Sequence, residues 1–459
     1  MASLEGVLDK IRAATRGTEY AGRLFIVGGY VRDKILGRTP NEDVDLVLDG
    51  DALAVARLLR DKGVSEIEPV VYPRFGTALC IVDGLEVELV TARAESYDPD
   101  SRKPSVERAS LTEDALRRDF TINTLMENLH TGERLDLLGS GEDDIKKGII
   151  RTPTDPEVTF SDDPLRMLRA VRLAAVLGFE IEAECSRAIV DQAERLRIIS
   201  QERIQEEFVK IVRAPRAAEG LNMLLESGVL DRFLPELAAM KGVTQNEFHR
   251  FDVWDHTIEA LSNAPADLGL AGRLGILFHD VGKPATRTEG DDGFVHFYRH
   301  EEIGAEMARK ALRRLRFSGD TVEAVARITE LHMRTGNYTS EWGDAAVRRL
   351  IRDAGDLLSD LMAVYEADRQ ATTMTLAGAD LEELRARIES IERAQDVMAL
   401  EAPLDGGEIM ELLRIGPGPE VGEVKAFLLN EVIEGNLGEG DKEKAMELVA
   451  RRWGQAGKA

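Results

Sequence analysis

The chain has 459 residues, two cysteines and a formal net charge of −25, with 43% hydrophobic and 31% charged residues. That length exceeds what one core organises and predicts three or four domains, and no apolar run is long enough for a membrane span. Cys80 and Cys185 exclude a disulfide framework and a cysteine-based zinc site, and without a signal-peptide layout the expected location is cytoplasmic.

Residues 1–150 mix short β-branched runs with helical stretches, the pattern of an α/β or α+β unit. Leu24–Val27, Val44–Leu48, Ala78–Val82 and Leu85–Thr91 read as strands. In the last of these, alternation puts Val87 and Leu89 on one face and Glu86 and Glu88 on the other. Ile26-Val27-Gly28-Gly29-Tyr30-Val31-Arg32-Asp33 reads as a strand passing through two glycines into a helix. Gly28 and Gly29 let backbone N–H groups approach a phosphate, and Arg32 can clamp it; an ordinary tight connection has the same look.

Asp43-Val44-Asp45 follows. Carboxylates at i and i+2 of a strand project to one side and suit two adjacent Mg²⁺ ions. Glu88 fits as a third carboxylate from a neighbouring strand, with Glu86 as its competitor. Residues 94–113 then carry a polar stretch with Pro99 and Pro104, which argues against long regular structure and for a movable element.

Arg117-Arg118-Asp119-Phe120-Thr121-Ile122-Asn123 admits two readings. The arginines bind triphosphate while Asp119 accepts from a ribose hydroxyl, or the group is a structural salt-bridge cluster. In Asp162-Asp163-Pro164-Leu165-Arg166, Asp163 and Arg166 share a helix face. Together they can offer a base one acceptor and one donor; a capping acid with an i+3 partner is the plain alternative. Arg166, Arg169 and Arg172, then Lys210, Arg213 and Arg216, form either a basic track on an acidic body or solvated helix faces.

From Asp163 onward the pattern is helical almost without interruption. Six of the seven histidines fall between His249 and His332. His256, the His279-Asp280-Val281-Gly282-Lys283 run, His296, His300, His332 and Asp368 mark a metal-binding segment, because imidazole and carboxylate together suit a divalent ion. The tail is acidic and helical, and its Gly416-Pro417-Gly418-Pro419 stretch reads as an ordinary turn.

In this order the motifs resemble the class II tRNA nucleotidyltransferase (CCA-adding enzyme) and bacterial poly(A) polymerase family. The resemblance is carried by Gly28–Asp33, Asp43–Asp45, Arg117–Asn123, Asp162–Ala170 and Glu202–Glu207. It implies an α+β fold: a nucleotidyltransferase head with a small mixed sheet (1–150), then all-helical parts. These are a nucleotide-selecting neck (151–240), an HD metal-binding domain (241–370) and an RNA-binding tail (371–459). It further implies that Asp43 and Asp45, assisted by Glu88, hold two Mg²⁺ ions, and that Gly28, Gly29 and Arg32 contact the triphosphate. Asp119 would contact the ribose, with Arg118, Asn123 and Arg169 also lining the nucleotide site, while Asp163 and Arg166 would recognise C and A. Asp162 stands where many relatives have glutamate.

The histidine segment resembles the HD phosphohydrolase superfamily. By that resemblance His256, His279, Asp280 and Asp368 are metal ligands, with His300 and His332 next, for a divalent transition metal or Mg²⁺. The implied partners are tRNA, CTP and ATP, with no membrane and no DNA. The implied reaction adds CCA, or its CC or A part, to the tRNA 3′ end and releases pyrophosphate. Poly(A) synthesis, or HD phosphohydrolysis as the main activity, are the alternatives.

Overall fold

A computed structural model describes residues 3–39, 44–98, 101–245, 251–291, 293–372, 380–394 and 397–453. By internal packing the chain divides into two units, Met1–Pro235 and Glu236–Ala459.

In the first unit the strands are β1 (Leu24–Val27), β2 (Val44–Leu48), β3 (Val70–Tyr72), β4 (Thr77–Val82), β5 (Leu85–Thr91), β6 (Arg93–Asp98), β7 (Ser101–Arg108), β8 (Met126–Asn128) and β9 (Arg134–Leu135). Seven of them form one sheet in the order β3-β4-β5-β2-β1-β8-β9. Its β2–β5 pair is parallel and the other pairs are antiparallel, so the sheet is mixed as expected. Three of the expected strands begin and end where the sequence put them, and β4 starts one residue earlier.

Both faces of the sheet are covered. The Ala52–Asp61 helix packs on β4, β5 and the Leu4–Thr15 helix, while Leu24, Ile26, Leu46, Leu48, Val87 and Leu89 are buried completely or nearly so. The opposite face carries Phe25, Val27, Val47, Val90 and Met126 in a separate apolar cluster. Each such side chain stabilises the sheet by about 1.5–3 kcal/mol. Asp45 pairs with Val27 and precedes Val47 by two, and Glu88 precedes Val90 by two. The two acids therefore stand where this second apolar stripe ends.

Residues 93–108 correct the expectation of irregular structure: β6 and β7 pair as an antiparallel ribbon with a register shift between Ser96 and Asp98. An isolated two-stranded ribbon leaves one hydrogen-bonding edge of each strand open, so Pro104 is tolerated there. Pro99 lies outside the described residues.

The rest of the first unit is mostly helical. The Leu165–Leu177 helix packs against the Gln201–Val212 and Ala217–Glu226 helices. In the second unit the helices Val253–Ser262, Leu270–Phe278, Gly319–Gly336 and Leu358–Ala371 pack on one another, and His300–Arg314 lies along Gly319–Gly336. Helicity is broken more often than the sequence pattern indicates, by the parallel pair Ile149–Ile150 with Glu180–Ile181 and the hairpin Arg287–Glu289 with Val295–Phe297. These two- and three-residue strands are too short to leave a period-2 signal. Pro419 opens the Pro419–Ile433 helix at its first position, consistent with a turn before it. Among the described residues no helix is long and apolar enough to cross a membrane.

Candidate active site and a histidine cluster

Asp45 and Glu88 are register partners on parallel β2 and β5, whereas Glu86 pairs with Ile81 on the other side and stands two residues away. Neighbouring parallel strands bring paired side chains to the same face, so Glu88 is the residue beside Asp45. Its carboxyl is raised above the ordinary range, first by desolvation and then by the Asp45 charge. Two acids driven together at a sheet end favour a cation between them. Asp43 lies outside the described residues.

Gly28 adjoins this pair. Its φ of +81° is left-handed, and a Cβ placed there would lie 3.9 Å from Asp45 Oδ2. Glycine is used because an L side chain would be strained at this left-handed φ; the space beside the carboxylate would itself admit a Cβ. After the turn, Arg32 is buried: its Nε donates to Asp33 Oδ1 at 2.8 Å and its Nη1 to Asn123 Oδ1 at 2.9 Å. Asn123 in turn donates to Asp119 Oδ1 at 3.0 Å.

Asp119 is surrounded by protein donors. Oδ1 also accepts from the Phe120 N–H at 2.8 Å, and Oδ2 accepts from Arg169 Nε at 2.9 Å and from its Nη2. Burial pushes this carboxyl up, but the Arg169 charge and the Asn123 and Arg169 hydrogen bonds more than offset it and hold it well below the carboxylate range. Arg117 and Arg118 both pair with Asp114, which is fully buried, at 2.6 and 2.9 Å. The salt-bridge reading of this block is thus present in the fold. Arg93, Arg117 and Arg118 nevertheless all lie close enough to pull the Glu88 carboxyl down. Arg93, whose Nη1 donates to Phe75 O at 2.7 Å, had no motif around it to single it out.

Asp163 stands just before the Leu165–Leu177 helix and Arg166 in its first turn, and each side chain is held by a group other than its counterpart. Asp163 Oδ1 accepts from the Leu165 N–H at 3.1 Å and Oδ2 from Arg203 Nη2 at 3.0 Å. Arg166 Nη2 donates to Arg117 O at 2.7 Å. The every-third arginines do not form a solvated face: Arg169 is held by Asp119, and Arg172 donates to buried Glu207 at 2.6 Å. Lys210 lies 3.5 Å from the same Glu207, and Arg216 pairs with Glu219.

In the second unit all six expected ligands converge. Their ligand atoms fall in two groups, His256, His279 and Asp368, and Asp280, His300 and His332, each within 4.8 Å of one another. Asp280 links them, with Oδ2 3.2 Å from His279 Nε2 and Oδ1 3.4 Å from His300 Nε2. His279, His300 and His332 turn Nδ1 to the carbonyls of Ile276, Phe297 and Thr329 at 2.7, 3.0 and 2.6 Å. With Nδ1–H donated to a carbonyl, Nε2 is the inward atom and offers its lone pair once the ring is neutral.

Two features show that this donor set fits a metal. Buried His279 Nε2 makes no well-directed hydrogen bond although Asp280 Oδ2 lies 3.2 Å away, and His300 Nε2 faces His332 Nε2 at 3.3 Å. Burial and neighbouring His279 depress His332 to about 3. Burial alone would also lower His279, but Asp280 and Asp368 more than offset it and raise that ring to about 9. Imidazole nitrogen with carboxylate oxygen is a donor set for divalent transition ions.

Lys283, one turn after Asp280, also belongs to the cluster. Its Nζ lies 2.6 Å from Asp280 Oδ2 and 2.7 Å from Gln245 Oε1. The i,i+3 spacing from Asp280 was the available signal. His296 stands apart, stacked on Tyr298 in the hairpin, and His249 lies outside the described residues.

Comparison with known proteins follows the same division. A profile described as the poly(A) polymerase head domain matches residues 24–151, and one described as a probable RNA- and SrmB-binding site of polymerase A matches residues 178–241. An HD-domain profile matches residues 254–373. The chain is similar to the CC-adding tRNA nucleotidyltransferase of Thermus thermophilus, at 34% identity over 93% of each chain. It is equally similar, at 34% identity, to the A-adding tRNA nucleotidyltransferase of Deinococcus radiodurans, over 75% of this chain and 80% of that one. The fold is shared with the crystal structure of the Bacillus stearothermophilus CCA-adding enzyme in complex with CTP, with a TM-score of 0.70, 24% identity and full coverage of both chains.

Proposed function

Because the chain belongs to the tRNA nucleotidyltransferase family, we propose that it extends the 3′ end of tRNA with CCA, or its CC or A part, from CTP and ATP. The observation that carries this reading is the pairing of Asp45 with Glu88 beside the Gly28 turn. Asp45 and Glu88, with Asp43, would hold divalent cations, Mg²⁺ by preference for an all-oxygen donor set. When bound, such ions supply Lewis-acid charge at the attacking hydroxyl and at the departing pyrophosphate. The chain's own share is placement: the Gly28 turn admits the triphosphate, and the arginines near Glu88 offset its charge. Asp163 and Arg166 supply an acceptor and a donor for the base. Cytosine and adenine each carry an exocyclic amino donor, whereas uracil and guanine carry a carbonyl at that place, so this pair favours C and A. The boundaries 1–150, 151–240, 241–370 and 371–459 are proposed as head, neck, HD domain and RNA-binding tail.

The test uses tRNA transcripts ending before CCA, after C and after CC, given CTP and ATP separately and together. Extension of only some acceptors separates CCA, CC and A addition. A long A tail on any RNA moves the assignment to a poly(A) polymerase, and no extension with Mg²⁺ overturns it.

A second activity is supported by a different observation, the convergence of buried imidazole and carboxylate groups around Asp280. We propose metal-dependent phosphoester hydrolysis there. Asp280→Ala then abolishes hydrolysis and leaves RNA extension intact, and Asp45→Ala does the reverse.

A further inference from the structure

A base-reading carboxylate selects only if its orientation is fixed. A carboxylate free to rotate about its last torsion presents an oxygen to any donor in reach, and a terminal torsion of this kind is broad and intrinsically soft. Asp163 is held at both oxygens, by the Leu165 N–H at 3.1 Å and by Arg203 Nη2 at 3.0 Å. The first contact is backbone and comes with the helix start. The second is a side chain from a different helix, Gln201–Val212.

That helix is itself fixed against the one bearing Arg166. Glu207, one turn after Arg203 and buried, accepts from Arg172 Nε at 2.6 Å across the Leu165–Leu177 packing interface. Arg203 therefore reaches Asp163 from a rigid origin. Each oxygen of a carboxylate accepts two hydrogen bonds, so one acceptor direction on each Asp163 oxygen is left over from these two contacts. The ion pair is partly open, with Arg203 40% and Asp163 21% exposed, and solvent screening leaves such pairs little to add to stability. Stability is thus a weak reason for the contact, and orientation of Asp163 is the stronger one.

We propose that Arg203 is a positioning residue for nucleotide choice, holding the Asp163 carboxylate in the orientation that accepts from the exocyclic amino group of C or A. This deepens, and rests on, the base-reading role proposed for Asp163 and Arg166.

The full chain and its R203M, R203K, D163A and D163A/R203M variants are assayed on tRNA transcripts lacking all or part of CCA. CTP, ATP, UTP and GTP are given singly, and kcat and KM are read for each. R203M is expected to lower the preference for C or A over U or G about tenfold, the order of one charge-assisted hydrogen bond, with an unchanged melting temperature. R203K restores part of the preference, and R203M costs nothing further in the D163A background. If R203M keeps the preference within about twofold while D163A loses it, the inference fails and the base-reading role stands. Equal losses from R203M with and without Asp163 also overturn it. If D163A itself keeps the preference, the base-reading role fails first. Should R203M not fold, R203Q replaces it with the same expectation.

Discussion

Asp45 and Glu88 are register partners on adjacent parallel strands, which brings to one point two acids that lie 43 positions apart in the chain. Everything proposed for the head depends on that register, since a slip of one residue would turn Glu88 to the opposite face.

Glu88→Gln is therefore expected to lower kcat for nucleotide addition by a factor on the order of 10²–10³, the range seen when one charge-stabilising group is removed. Glu86→Gln, two residues further along the same face, should change kcat less than about threefold. Single-turnover rates with saturating CTP or ATP separate the two. Equal losses would show that the register is not what selects Glu88.

The Asp119–Arg169 pair sets a pH dependence. Its carboxyl is depressed in the folded state, so the stabilisation is present above the unfolded value of about 3.9 and is lost as pH falls below that value toward the folded one. Asp119→Asn should cost about 3 kcal/mol at pH 7, because Arg169 is left without its partner, and less as the pH falls below about 4. Urea-denaturation midpoints of both proteins at pH 7 and near pH 3.5 check this. A gap that does not narrow would locate the effect elsewhere.

The histidine cluster is expected to bind two divalent ions, one at each three-residue group. His300→Ala should leave one ion, and Asp280→Ala should weaken both, since Asp280 faces both groups. His279 is raised to about 9, so at pH 7 an entering ion must displace its proton. Apparent affinity should then rise up to about tenfold per pH unit from pH 7 and level off near pH 9. Metal content after chelator competition at several pH values measures both the stoichiometry and the slope.

Gly282→Ala should disrupt this cluster specifically. A Cβ at Gly282 would lie 2.1 Å from His300 O and 2.8 Å from Gly304 N, so the His300–Arg314 helix must shift. The expected cost is about 3 kcal/mol or more to the second unit, with loss of metal binding. Thermal unfolding and metal content report these, while tRNA extension by the head should persist.

Periodicity and turn chemistry made much of the fold legible. The strands β1, β2 and β5 and the break at Gly28 were readable because their signals are local: β-branched alternation, and a glycine pair between a strand and a helix. The short strands β3, β8 and β9 were not, because two or three residues carry no period and exist only through their neighbours in the sheet. Residues 93–108 misled for a related reason. Proline argues against a central strand, but nothing local says that the ribbon there has an open edge.

The sequence by itself determined the residue types and spacings on which the chemistry depends: the Asp-x-Asp spacing, the Asp163–Arg166 helix start, and a run of histidines dense enough to mark a metal site. Tertiary structure alone decided the partners. It set Glu88 rather than Glu86 beside Asp45, gave Arg169 to Asp119 and Arg172 to Glu207, brought Arg203 to Asp163, and divided six candidate ligands into two groups around Asp280. The physical reason is reach. Local sequence fixes where a side chain points along its own strand or helix, whereas a contact across elements depends on register and packing between segments tens of residues apart.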